Sequence, residues 1–101
     1  RKRMMQEVPK ATVVITNPQH LAVALKYEDK KMAAPRIIAK GAGLIAARIK
    51  EIAAKHGVPV IEDKPLARAL FKLELNAFIP EELYVAVAKI LAYIYKIKGK
   101  I

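Results

Sequence analysis

The run Asn17-Pro18-Gln19-His20 stands between two apolar stretches, Thr12 to Thr16 and Leu21 to Tyr27, and constrains the fold more than any other segment. Pro18 has a fixed φ and no backbone N–H, so neither a regular helix nor an interior strand runs through it undisturbed. Proline at the second position of a tight turn, with Asn before it, reverses a chain at little steric cost. Leu21, Val23, Leu25 and Tyr27 alternate onto one face. These residues predict an N-terminal β-hairpin with residues 17–20 at its exposed tip.

The rest of the chain extends this hairpin into a sheet. Glu28 to Pro35 reads as a charged surface loop, and Arg36 to Lys40 as a third strand ending at Gly41. A helix is expected from near Gly43 to Gly57, with Ile45, Ile49 and Ile52 inward and Arg48, Glu51 and Lys55 in solvent. Val58 to Glu62 is expected as a fourth strand. A strand-helix-strand order implies a right-handed crossover and parallel pairing. Pro65 to Leu73 reads as a short helix. Pro80 takes the favoured first position of a last helix, whose stripe is Leu83, Val87, Leu91 and Ile94. The expected class is α/β: a small mixed four-stranded sheet, N-terminal hairpin plus βαβ crossover, packed with about four helices.

Composition narrows the function. A chain of 101 residues with 54% hydrophobic content makes one domain with a modest core. No apolar stretch reaches the ~20 residues that cross a bilayer, the longest being interrupted at Lys89, and nothing resembles a signal peptide. Taken alone, the chain is expected to be soluble. With no Ser or Cys, Thr12 and Thr16 are the only aliphatic hydroxyls, and neither lies in a nucleophile motif. A turnover enzyme is not expected.

No cofactor or metal is expected either. His20 and His56 are too few and too far apart for a zinc site, and His56 suits the end of its helix as a cap. Gly41-Ala42-Gly43 at a helix start suggests an anion cradle, but without a third Gly or a following Gly-Lys-Ser/Thr it reads as a tight helix entry. The net charge of +10 favours anionic surfaces. Arg1, Lys2 and Arg3 cluster at the front and Lys96, Lys98 and Lys100 at the tail, with no basic stripe between. A small basic nucleic-acid-binding module is the alternative this charge raises, to be tested by salt-dependent binding of duplex DNA or RNA.

The Asn17–Pro18 bond has chemistry of its own. In other Asn-Xaa pairs the next backbone N–H attacks the Asn side chain, a route Pro18 closes. The reverse attack remains open: the Asn17 side-chain nitrogen attacks its own carbonyl carbon, closes a succinimide and expels the Pro18 nitrogen. The reaction needs a turn that holds the amide near the carbonyl and an acid for the leaving nitrogen. His20, whose imidazole exchanges protons near neutral pH, is the candidate acid. The same residues also suit a plain turn with His20 on a strand.

The stretch from Met4 through Val13-Val14-Ile15-Thr16-Asn17-Pro18 resembles the autocleavage region of the FlhB/YscU export switch proteins. The resemblance continues through Ala22 to Tyr27, Ala34-Pro35, Ala39-Lys40-Gly41-Ala42-Gly43, Val58-Pro59, Leu66 to Leu70, Ile79-Pro80 and Ala86-Val87-Ala88. It covers nearly the whole chain and is closer to the flagellar branch. The resemblance implies residues 1–11 as a basic linker from a membrane part and 12–101 as an autocleaving cytoplasmic domain. It further implies a role in switching the substrate specificity of a type III export apparatus, at the cytoplasmic face of the bacterial inner membrane. The implied partners are other apparatus proteins, secretion substrates, a hook or needle length-control protein and the chain's own membrane domain, without nucleic acid. Asn17, Pro18, Gln19 and His20 map onto the cleavage motif, and the cut halves are expected to stay associated. Pro65, Arg68 and Leu70 lie in a segment similar to a signature beside that loop and are candidate recognition residues. The family motif is Asn-Pro-Thr-His, so Gln19 replaces a Thr whose hydroxyl can bond back to the turn; the expectation is cleavage that persists at a reduced rate, with a blocked, switch-impaired chain as the alternative.

Overall fold

The computed structural model describes residues 2–99. Arg1 and Lys100, counted above in the terminal basic clusters, lie outside the described residues. A short helix α1 (Lys2–Glu7) and a 3₁₀ turn (Val8–Lys10) lead into β1 (Val13–Asn17) and β2 (Leu21–Lys26). Then come β3 (Arg36–Ala42), α2 (Leu44–Lys55), β4 (Val60–Glu62) and α3 (Lys64–Phe71), and after a 3₁₀ turn (Glu81–Leu83), α4 (Tyr84–Ile97).

The four strands form one mixed sheet in the order β3-β2-β1-β4. β1 pairs antiparallel with β2, β2 antiparallel with β3, and β1 parallel with β4. The crossover through α2 therefore joins the two edges of the sheet, and β4 pairs with β1 rather than with the strand that precedes it. Strands β1, β3 and β4 all point the same way.

Helices cover both faces. Val13, Ile15, Val23, Leu25 and Ile37 project to one side, where Leu66, Ala67 and Leu70 of α3 and Val87, Leu91 and Ile94 of α4 close over them. Val14, Ala22, Ala24 and Ile38 project to the other, against Ala46, Ile49, Ile52 and Ala53 of α2. The small Ala22 and Ala24 let α2 sit close to the sheet. β2 is thus buried on both faces, although only its large residues mark it as half-buried in the sequence. The N-terminal segment joins the second layer: Val8 is fully buried, with Met4 and Met5 packed beside it.

Several boundaries differ from those expected. β1 runs one residue further than Thr16, so Asn17 ends the strand and the loop proper is Pro18–His20. The fourth strand is shorter than Val58–Glu62, because Val58 turns into the core behind α2. Pro80 does not open the last helix. Its ψ of 161° is extended, the chain makes a 3₁₀ turn over Glu81–Leu83, and regular α-helix starts at Tyr84 with Leu83 only half-buried. Gly41 meets its requirement at the other junction: a Cβ there would overlap Ile45, so glycine alone lets the first turn of α2 fold back on the strand.

Candidate functional site

The C-terminal ends of β1, β3 and β4 lie at the same end of the sheet, and α2 and α3 both start there. The loop Pro18–His20 leaves β1 at this end. Asn17 is its root, paired with Leu21 across the hairpin. The His20 backbone N–H donates to the Asn17 carbonyl oxygen at 3.0 Å, closing a four-residue turn with Pro18 second and Gln19 third. Gln19 has φ 70°, so the turn is of type II, in which the third residue is left-handed. Asn17 and Pro18 are half-buried, while Gln19 and His20 are exposed.

Neighbouring backbone holds the loop from both sides. The Gly43 N–H donates to the His20 carbonyl oxygen at 3.0 Å, tying the loop to the residue just before α2. On the opposite side the Asp63 N–H donates to the Thr16 carbonyl at 3.0 Å. Asp63 also caps α3, its Oδ1 accepting from the Leu66 N–H at 3.1 Å. The buried Thr16 hydroxyl reaches the Ile61 carbonyl at 3.5 Å. The strand end carrying Asn17 is thus fixed while the tip stands in solvent.

The residues singled out in the sequence therefore divide. Asn17, Pro18, Gln19 and His20 form one constellation. Pro65 in the first turn of α3 and Arg68 in its last turn are both exposed, and the helix begins beside that constellation. Leu70 is fully buried among the residues under α3 and α4, so it serves the core and offers a partner no surface. His56 caps the far end of α2, twelve residues past the helix start at Leu44 and so roughly 18 Å along the helix from the end nearest the loop. Among the described residues, no three His, Cys, Asp or Glu side chains gather as a metal site would require. Gly43 was missed as a member of the site. The signal for it was the β2–β3 pairing, which sets Ala42 opposite Leu21 and so brings the next residue to His20.

A mixed four-stranded sheet carrying a type II Asn-Pro turn at the mouth of two helices defines a small α/β domain with one tight turn between its first two strands. Residues 1–94 match the model of the FlhB HrpN YscU SpaS family, and the chain belongs to that family. It is 54% identical over 99 residues to the flagellar biosynthetic protein FlhB of Salmonella typhimurium, covering 97% of this chain and 26% of that protein. Against FlhB of Bacillus subtilis it is 54% identical over 101 residues, covering 99% of this chain and 28% of that one. The chain thus spans about a quarter of the length of these curated relatives. The cytoplasmic domain of FlhB from Shewanella putrefaciens superposes with a TM-score of 0.92 at 43% identity, covering 98% of this chain and 77% of that one. An EscU C-terminal domain superposes at 0.85 with 30% identity, covering 90% and 98%. The higher identity to FlhB agrees with the flagellar character of the sequence.

Proposed function

We propose that this domain is the self-cleaving, cytoplasmic part of a type III export apparatus protein, and that cleavage between Asn17 and Pro18 helps set which class of protein is exported. The observation that carries this reading is the type II turn: it holds the Asn17 carbonyl in a hydrogen bond at the root of an exposed loop, next to His20. Membership of the family supports the setting.

The reaction needs no second substrate. The Asn17 Nδ2 forms a bond to the Asn17 carbonyl carbon and gives up a proton, and the bond from that carbon to the Pro18 nitrogen breaks. The nitrogen takes a proton from the protonated His20 ring, which is re-protonated by the proton Nδ2 gives up, and leaves as a secondary amine, while Asn17 remains as a succinimide. The nucleophile is consumed, so each chain reacts once. Partners follow from the setting: other apparatus proteins, secretion substrates and a length-control protein at the loop surface, where Pro65 and Arg68 are exposed, and the membrane part of the same protein beyond Lys2 at the cytoplasmic face of the inner membrane. No helix among the described residues is long and apolar enough to cross that membrane.

The intact mass of the denatured chain, followed for days at neutral and mildly alkaline pH, tests the chemistry. Two fragments meeting at Asn17 and Pro18 are expected. Their masses sum to that of the parent while the imide survives and exceed it by one water after it opens, whereas direct hydrolysis adds the water at once. Asn17→Ala should stay whole. A single full-length mass throughout would sink the reading. Without denaturant, the fragments should co-elute in size-exclusion chromatography.

A further inference from the structure

The scissile carbonyl already has a hydrogen-bond donor, and that donor is held from its far side. As Nδ2 of Asn17 adds to the carbonyl carbon, the carbonyl π electrons move onto the Asn17 oxygen, which carries negative charge until the bond to the Pro18 nitrogen breaks. In the folded turn that oxygen lies 3.0 Å from the His20 N–H. A donor in place before the charge develops stabilises it without reorganisation, which is the principle of an oxyanion hole. Resting on the cleavage reading above, we infer that the backbone N–H of His20 is the oxyanion donor of the reaction and that Gly43 is the residue that positions it.

The role of Gly43 follows from its backbone. Its N–H grips the His20 carbonyl at 3.0 Å, so His20 is pinned through both of its backbone groups, one bond toward Asn17 and one toward the start of α2. Gly43 reaches this position at φ 59° and ψ −125°, a combination open to glycine and costly for any L-residue. A Cβ built at Gly43 meets nothing within 4 Å, so the demand for glycine there is one of backbone conformation and not of space. The Gly41-Ala42-Gly43 stretch accordingly does two jobs. Its first glycine admits the packing of Ile45, and its last aims the loop. His20 contributes twice as well: its ring supplies a proton to the leaving nitrogen, and its main chain takes up charge on the oxygen.

Replacing the Gln19–His20 amide by an ester, through ribosomal incorporation of the α-hydroxy acid analogue of histidine, deletes the donor and keeps the imidazole. Cleavage of the ester chain should fall about 100-fold or more below the parent. Gly43→Ala should slow cleavage about tenfold, and D-alanine at the same position, which favours positive φ, should restore it. If the parent cleaves and the ester cleaves at the same rate, the inference is overturned while the cleavage reading stands. If the parent does not cleave, both fall. Should the ester chain fail to show the cooperative urea transition of the parent, the Gly43 series decides: equal rates with glycine, L-alanine and D-alanine would overturn the inference.

Discussion

Gln19 holds a left-handed backbone at φ 70°, which costs an L-residue about 1 kcal/mol and costs a β-branched residue more. In an Asn17→Ala background, where the chain stays whole, Gln19→Gly should therefore raise stability by about 1 kcal/mol. Gln19→Thr should lower it, as read from urea midpoints; equal midpoints would show that the turn relaxes at no cost. With Asn17 present, the Thr variant should also cut faster than the parent, since a turn under more strain releases more as its bond breaks. This gives the Gln-for-Thr difference a physical content that its hydroxyl alone does not. The tight turn at Asn17-Pro18-Gln19-His20 was legible in the sequence because Asn followed by a proline without an N–H suits the first half of such a turn; the roles proposed for Asn17, Pro18 and His20 come from their covalent chemistry: an amide, a missing N–H, an imidazole. The left-handed turn was not, since an unbranched Gln carries none of the bias that Gly or Asn shows there. It arises because only three residues close the hairpin once Asn17 pairs with Leu21.

Among the elements, α3 shows how much of the fold escapes local pattern. Lys40 reads as an ordinary polar residue near a strand end, yet its Nζ donates to the carbonyl of Phe71, the last residue of α3, at 2.9 Å and to that of Leu73, two residues beyond the helix, at 2.7 Å. The ammonium also lies 5.1 Å from the centre of the Phe71 ring. A cation at a helix C-terminus satisfies carbonyls that the helix leaves open. Lys40→Met keeps the stem and removes the charge, and should cost about 2 kcal/mol in urea unfolding. A change within the error of the wild-type midpoint would show that water serves those carbonyls equally well. The periodic signals for β2, α2 and α4 survived into the structure because burial enforces them. Local pattern did not foretell the rest: Lys40 bonds a carbonyl 31 residues away, and Pro80 is extended before a 3₁₀ turn instead of opening the helix.

For the molecule as a whole, alkaline pH is one lever. Burial, and then the negative charge of ionised Tyr27 and of Asp29, push the Tyr95 phenol above its ordinary value. The folded state thus favours the neutral phenol. Its contribution is complete below the ordinary tyrosine pKa of ~10 and is lost as pH rises through the higher folded value. The unfolding midpoint should fall above about pH 10, and the fall should be shallower in Tyr95→Phe; parallel curves would remove Tyr95 from the cause. A second lever follows from β1 lying inside the sheet, between β2 and β4. A break after Asn17 makes the piece holding α1 and β1 a separate molecule seated at the centre of the other. Folding then changes its molecularity: an intact chain finds its interior strand by a first-order search, whereas a nicked one must meet it by collision. The nicked domain should therefore melt at a temperature that depends on protein concentration, and once opened in dilute solution it should not close again.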